Sequence, residues 1–234
     1  MDRVVTPPAA PVVAPRRARR EIGFGIALLG VGLLIGVAAG PASAAFAGIS
    51  GDKLFWTGSR LTAFLAYLAF AGSVCYGLGM ASGLIDAIAG KPVSFALHQD
   101  LALAGLAFTA AHVFLLLGDA YIGFNLQTLL VPGLSPYKTV PVAVGQVAAW
   151  AAVATVLSFY ARRLLNPKVW RSLHTLSVVV FVLATVHGLY SGSDSKLDLI
   201  WWVYVGVALV VLFLAVYRFA NAGRRKDRAL RAGV

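Results

Sequence analysis

The chain has 234 residues, of which 59% are hydrophobic and 12% are charged, and its formal net charge is +11. A soluble core of this size cannot absorb so much apolar surface, so the composition excludes an ordinary globular domain and indicates an integral membrane protein. The single cysteine, Cys75, lies in an apolar run and is predicted to be a small buried hydrophobe. A disulfide framework and a cysteine-based zinc or iron–sulfur site are therefore also excluded.

Six segments of the chain are apolar over about 20 residues, the length that a helix needs to cross a bilayer. They lie near residues 22–40, 58–80, 95–117, 141–162, 170–190 and 199–218. Residues 1–20, rich in Pro, Ala and Arg, are predicted to form a disordered basic tail, and residues 219–234 a basic C-terminal tail. The predicted fold class is all-α, an integral membrane bundle of six transmembrane helices over residues 21–218.

The first span has an alternative interpretation as a signal peptide. The sequence RRARRE, followed by an apolar segment and then PASAAFA, imitates such a peptide with a small-residue cleavage site. The apolar segment is longer than the usual hydrophobic region of a signal peptide, which favours a retained helix. Cleavage would leave the other five spans with the same orientation.

Basic residues in the segments that flank the spans predict the orientation of the bundle. With the N-terminus in the cytoplasm, sixteen Lys and Arg residues fall inside and only Lys53, Lys138 and Lys196 fall outside. We therefore expect both termini to be cytoplasmic, in a multi-pass protein of the cell membrane. The Ala-, Gly- and Val-rich usage points to a bacterial cytoplasmic membrane. The net charge also favours anionic lipid headgroups, and it gives no reason to invoke nucleic acid.

The four histidines of the chain form a regular pattern. His98 and His112 lie in the third span, fourteen residues apart, and His174 and His187 lie in the fifth span, thirteen residues apart. At about 1.5 Å per residue, each pair is separated by roughly 20 Å along its helix, which is most of the hydrocarbon thickness. Both spans run from inside to outside, so His98 and His174 share the inner depth and His112 and His187 share the outer depth.

Two imidazoles at one depth on facing helices are the arrangement that holds a haem iron from both sides. Ligation offsets the cost of a polar ring in hydrocarbon, and two filled axial positions suit electron transfer better than oxygen activation. The pattern therefore predicts two b-type haems, one at each depth, that form an electron path. Interhelical hydrogen bonding is the alternative for any single histidine. A mononuclear zinc or other metal site is disfavoured because ligands roughly 20 Å apart cannot converge.

The thirteen-residue spacing predicts an irregular fifth helix. At about 100° per residue, fourteen steps return within about 40° of the starting face, whereas thirteen steps leave an offset of about 140°. A tightened turn or a kink, produced by Ser177 or Thr185 bonding to the preceding turn, would correct the facing. Alternatively, the two haems are simply rotated relative to each other.

Three stretches carry a resemblance to a known family: LHQDLALAGLAFTAAH, SPYKTVPVAVGQVAAW and RRLLNPKVWRSLHTLSVVVFVLATVHGL. With the histidine spacings and the Trp-x-x-x-His entry into the fifth helix, residues 55–218 resemble the ferric reductase-like transmembrane domain of ferric-chelate reductases and NADPH oxidases. The resemblance implies that His98 and His174 ligate an inner haem, and His112 and His187 an outer haem. It also implies that these haems carry electrons from a cytosolic flavin to an acceptor on the far side.

The sequence after the sixth span has no room for a flavin domain, and no G-x-G-x-x-G motif occurs between a strand and a helix. We therefore expect a haem subunit of an oxidoreductase that needs a separate donor: a flavoprotein, free reduced flavin or membrane quinol. The chain also resembles the haem subunit of a periplasmic methionine-sulfoxide reductase system, in which a partner protein takes the electron. The outer acceptor is expected to be ferric iron, oxygen or a redox protein. A quinol-reactive cytochrome b subunit and a haem-free histidine-containing transporter stay open as alternatives.

Two arginines are predicted to support the haems. Arg60, near the outer end of the second span, would pair with outer haem propionates or attract an anionic acceptor, with snorkelling to the interface as its alternative. Arg171, three residues before His174, would pair with inner propionates or act as a topology-setting charge. Gln99 and Asp100 lie at the cytoplasmic mouth, where they orient a donor or are simply solvated.

The two outward loops, residues 118–140 and 191–198, are where the acceptor is expected to dock. The longer loop is too apolar for a plain linker, so we predict that it lies on the membrane or caps the outer haem. The Trp residues fall mostly near the ends of spans, where an aromatic belt explains them.

Overall fold

The structure is a computed structural model that describes residues 51–85 and 90–231. The predicted N-terminal tail and the first predicted span, residues 22–40, lie outside the described residues. Six α-helices make up most of the described chain: α1 (Gly51–Ser82), α2 (Lys91–Leu117), α3 (Leu126–Leu130), α4 (Thr139–Tyr160), α5 (Pro167–Ser191) and α6 (Asp198–Arg231). Single 3-10 turns at Ala161–Arg163 and Asp194–Lys196 precede α5 and α6, and no strand occurs in the described ranges.

Five of these helices are long and apolar enough to cross a membrane. Their candidate spans are Lys53–Ser82, Lys91–Leu117, Thr139–Arg163, Pro167–Ser191 and Asp198–Ala220, with mean hydropathy between 1.7 and 2.7. Each of the last five predicted spans lies within one of these segments, so an all-helical, multi-pass membrane protein is confirmed. The prediction of a sixth span concerns residues that the structure does not describe.

Local sequence explains where several helices begin. Helix α2 starts at Lys91 with a proline in its first turn, where a missing N–H costs nothing. Helix α5 starts in the same way at Pro167, and the side chain of Asn166 accepts a hydrogen bond from the Lys168 N–H at 2.8 Å. The N-terminus of the short helix α3 is stabilised by a capping box between Asn125 and Thr128.

The helices pack in pairs, and the pairing leaves a space inside the bundle. Helix α2 packs along α1, α4 packs along α5, and α6 lies mainly against α1. The histidine-bearing helices α2 and α5 share no comparable interface in the described part of the chain, because they face each other across this space. A buried aromatic cluster closes the side formed by α1, α5 and α6, where the Tyr67 ring lies 4.6 Å from Tyr204 and 5.6 Å from Phe181.

We call the end of the bundle that contains Ser82, Lys91 and Tyr160 the inner end, because the charge bias predicts it to be cytoplasmic. The opposite end is the outer end. The chain that joins α2 to α4 at the outer end is not a plain linker, since it contains α3, accepts hydrogen bonds from side chains of α4, and donates from its own Tyr137 and Lys138 side chains to carbonyls of α5. Helix α6 continues at the inner end as far as Arg231, past the predicted end of the last span at residue 218 and into the predicted basic tail.

Candidate functional site

His98 of α2 and His174 of α5 face each other near the inner end of the bundle. Their ring centroids are 5.7 Å apart and the ring planes are nearly perpendicular, at 82°. Two imidazoles on opposite sides of one metal ion, with metal–nitrogen distances of about 2.0–2.1 Å, hold their centroids about 6 Å apart. The inner pair is therefore spaced as two axial ligands of one iron would be.

Both inner histidines line a cavity between α1, α2, α4 and α5. Its empty space, counting the opening, is about 850 Å³. Its wall is largely apolar and includes Phe70, Phe95 and Phe159, with a few polar groups such as Gln99. An apolar wall with a small number of placed polar groups is the usual character of a cofactor site.

Helix α1 holds the His98 ring through contacts to its Nδ1 atom. The ring Nδ1 lies 2.8 Å from the backbone carbonyl of Ser73, and a carbonyl can only accept, so Nδ1 carries the proton. The Ser73 hydroxyl lies 3.0 Å from the same nitrogen and donates to the His98 carbonyl at 2.9 Å. Gly77 leaves room for this approach, since a Cβ there would lie 3.2 Å from the ring. The ring is thus fixed with its Nε2 lone pair free.

His174 is positioned in a different way, by an aromatic ring. Trp170, one turn earlier on α5, stacks on it with centroids 5.3 Å apart and an interplanar angle of 19°. The Nδ1 of His174 and the Nε1 of Trp170 are both buried without a hydrogen-bond partner in the described part of the structure. Buried polar groups without a partner are rare in folded proteins, so these two nitrogens mark a place where a bound group or water completes the structure.

His112 of α2 and His187 of α5 form the outer pair. His112 Nδ1 donates to the Ser59 carbonyl at 2.8 Å and His187 Nδ1 donates to the Pro141 carbonyl at 2.9 Å. Helix α4 packs directly on His187, because a Cβ atom at Gly145 would overlap the ring.

Three of the four rings share one property that matters for metal binding. The ring hydrogen bonds of His98, His112 and His187 all involve Nδ1, so Nε2 of these rings stays available. A histidine that donates Nδ1–H to a carbonyl has its tautomer and orientation set for ligation through Nε2. No cluster of three or more His, Cys, Asp or Glu side chains occurs among the described residues.

The predicted tightened turn in the fifth helix is not observed. Helix α5 is α-helical from Pro167 to Ser191, although Thr185 does bond to the preceding turn, at 2.8 Å from the Phe181 carbonyl. The two side chains therefore project from α5 in different directions. The His174 ring faces His98 on α2, whereas the His187 ring faces the Pro141 carbonyl of α4. The alternative prediction, two sites rotated relative to each other, describes this geometry.

The predicted supporting residues lie at the two ends of the bundle. Arg60 forms an ion pair with Asp194 of the outer loop between α5 and α6. Arg171 is exposed and donates to the Pro167 carbonyl at 3.1 Å. Gln99 lines the inner cavity, whereas Asp100 is not among its lining residues. The roles of both arginines towards haem propionates stay predictions.

Sequence reasoning missed the residues of α1 that hold the rings. Ser59 and Ser73 are fourteen residues apart, the same spacing as His112 and His98 on the antiparallel helix α2. Matching spacings of small residues and histidines on neighbouring spans were therefore available as a signal.

Comparison with known proteins does not assign this chain to a family: no family model, no curated protein and no solved structure matches it.

Proposed function

We propose that this chain is a transmembrane di-haem b-type cytochrome, similar to the ferric reductase-like transmembrane domain. It passes electrons from a donor on the cytoplasmic side to an acceptor on the outer side, and it serves as the haem subunit of an oxidoreductase. His98 and His174 hold the inner haem, and His112 and His187 hold the outer haem. The observation that carries the proposal is the inner pair, two imidazoles whose ring centroids lie 5.7 Å apart on the wall of a largely apolar cavity.

The residues present fit this cofactor. Each histidine has an unbonded Nε2, three of the four donate Nδ1–H to a backbone carbonyl, and the wall around the inner pair is largely apolar. Haem iron held by two imidazoles supplies a one-electron carrier with no easily opened coordination position. Two such carriers at different depths suit electron transfer across the hydrocarbon.

The role of the polypeptide is to position the ligands and to exclude water from the electron path. The carbonyls of Ser59, Ser73 and Pro141 set the tautomer of their histidines and make the imidazoles more basic. Ligation also gives each buried ring a partner for its second nitrogen, which offsets the cost of polar groups in hydrocarbon.

The proposal includes the predicted partners and orientation. Both termini are cytoplasmic, with six spans, in a bacterial cytoplasmic membrane. A flavoprotein, free reduced flavin or quinol supplies electrons at the inner end, on the side of the inner pair of histidines. Ferric iron, oxygen or a redox protein takes them at the outer end, near the loops of residues 118–140 and 191–198.

A reduced-minus-oxidised absorption spectrum of the purified protein tests the function. We expect an α-band in the green region and a haem content of two per chain. Protein that is folded and helical but shows no α-band after expression with a haem supply would contradict the proposal and favour the transporter. The donor is then identified by asking which reductant bleaches the spectrum in inverted membrane vesicles.

A further inference from the structure

The four histidines are not held alike by the polypeptide. The Nδ1–H groups of His98, His112 and His187 each donate to a backbone carbonyl, at 2.8, 2.8 and 2.9 Å. The Nδ1 atom of His174 is also buried, but it has no hydrogen-bond partner among the residues that the structure describes. One of the four rings therefore lacks the bond that fixes the other three.

This difference falls within the inner pair, whose two rings line the same cavity. On the α2 side, His98 Nδ1 lies 2.8 Å from the Ser73 carbonyl and 3.0 Å from the Ser73 hydroxyl, both on the neighbouring helix α1. On the α5 side, the His174 ring stacks on Trp170 of its own helix, with centroids 5.3 Å apart. Stacking orients the plane of a ring, but an indole supplies no acceptor for an N–H group.

Without such an acceptor, His174 is the weaker ligand of the inner pair. A metal-bound histidine normally donates its second ring N–H to a carbonyl or carboxylate, which makes the imidazole more basic, and loss of this partner typically costs about 10–100-fold in metal affinity. At an iron that both rings ligate, the bond from His98 is thus expected to be the stronger one. The outer pair has no such imbalance, since both of its rings donate to carbonyls.

We propose that His174 is the replaceable ligand of the inner haem, and that a small uncharged diatomic molecule takes its coordination position. In this exchange the bond between the iron and His174 Nε2 breaks, a bond from the iron to the incoming molecule forms, and no electron or proton is transferred. An uncharged molecule fits because the cavity wall is largely apolar, where an anion would lose its hydration. Both axial positions stay filled until such a molecule competes. The inference rests on the proposed function and adds a ligand site to it.

Binding of carbon monoxide tests the proposal on the purified full chain. The protein is reduced with dithionite, and carbon monoxide is titrated while the Soret band is recorded. We expect one molecule to bind per chain, at one of the two haems. The rate of binding should level off at high carbon monoxide concentration, because release of the His174 imidazole then limits the exchange.

Substitutions of the histidines assign the site to the inner pair. His174→Ala should keep the inner haem through His98, and the binding rate should become proportional to carbon monoxide concentration, since no imidazole has to leave. His98→Ala should lose the inner haem, because only the weaker ligand remains. In His187→Ala, which removes the outer haem, the remaining haem should still bind carbon monoxide.

Trp170→Leu tests whether the stacked indole retains the His174 ring. Loss of the aromatic contact should raise the limiting rate of exchange several-fold in the unmodified pair of histidines. Trp202→Leu is the matched control, since it makes the same change at an exposed position of α6, and it should leave the rate unchanged.

Three results would overturn the inference. The first is no binding of carbon monoxide to reduced protein that carries both haems. The second is binding to both haems at equal rates, which would mean that the acceptor at Nδ1 does not distinguish the two pairs. The third is an equal loss of the inner haem in His98→Ala and His174→Ala. In each case an intact haem spectrum of the unmodified protein leaves the proposed function standing, whereas absence of haem from that protein in its folded state removes the proposed function itself.

Discussion

At the scale of single residues, the candidate site depends on what lies behind each histidine. Backbone carbonyls of α1 and α4 hold three of the rings, and a stacked tryptophan holds the fourth. Carbonyls cannot change their hydrogen-bonding role, so they fix a tautomer more firmly than a hydroxyl does. The rings were readable in the sequence. For their backbone partners only the matching spacing of Ser59 and Ser73 offered a signal, because any residue type supplies a carbonyl.

Removing one histidine should remove one haem and spare the other. For His112→Ala or His187→Ala we expect the haem content to fall from two per chain to one, with the inner haem retained through His98 and His174. The reciprocal change, His98→Ala, should spare the outer haem. Haem extraction with parallel protein quantitation measures the ratio. Loss of both haems or of neither in the folded variants would show that the pairing by depth is wrong.

Gly145→Ala tests the close contact between α4 and the outer histidine. A Cβ at this position overlaps the His187 ring, and overpacking of this kind costs about 1–3 kcal/mol. We expect a lower thermal midpoint and loss of the outer haem. Gly206→Ala is the matched control on α6, where the added Cβ meets no heavy atom within 4 Å. Equal behaviour of the two variants would contradict the assigned packing.

At the scale of elements, the outer loop is held by the helix that follows it. The side-chain amide of Gln146 donates to the carbonyls of Thr128 and Leu129, both at 2.8 Å, and the Trp150 indole donates to the Leu130 carbonyl at 2.9 Å. These bonds hold α3 against α4. Gln146 directly follows Gly145, the glycine that packs against His187. The loop was expected to be more than a linker from its apolar composition, and the structure shows what holds it.

Gln146→Leu should release α3 without disturbing the bundle. Two hydrogen bonds worth about 0.5–1.5 kcal/mol each are lost. We expect faster amide hydrogen exchange in residues 126–130 and unchanged exchange in α1 and α5. Trp150→Phe, which removes a single bond, should give a smaller effect at the same place. Uniformly faster exchange across the bundle would mean that Gln146 stabilises the whole fold instead.

At the scale of the whole molecule, the distribution of basic residues and the packing of the helices determine different properties of the bundle. Packing decides which helices face each other, whereas exposed Lys and Arg residues decide which end faces the cytoplasm. The proposed direction of electron flow depends on both. A bundle inserted the other way would have the same two pairs of histidines but would present the basic residues of its inner end to the outside.

Labelling of single cysteines in intact cells tests the orientation. With Cys75 replaced by Ala, a cysteine in place of the exposed Ser193 should react with a membrane-impermeant maleimide, because it lies in an outer loop. A cysteine in place of the exposed Lys168 should react only after the cells are permeabilised. The reverse pattern would invert the predicted topology and with it the proposed direction of electron flow.

The sequence by itself determined the helical membrane class, five spans to within a few residues and the two depths of the histidines. These follow from local properties, since apolar length and residue spacing act within one helix. Only the tertiary structure decided which surfaces the rings touch: the carbonyls of Ser59, Ser73 and Pro141, the stacked Trp170 and the cavity between α2 and α5. The different directions in which His174 and His187 project from α5 were also decided by the tertiary structure. Contacts between helices depend on how each helix is rotated about its axis in the bundle, and residue spacing along the sequence does not give that rotation.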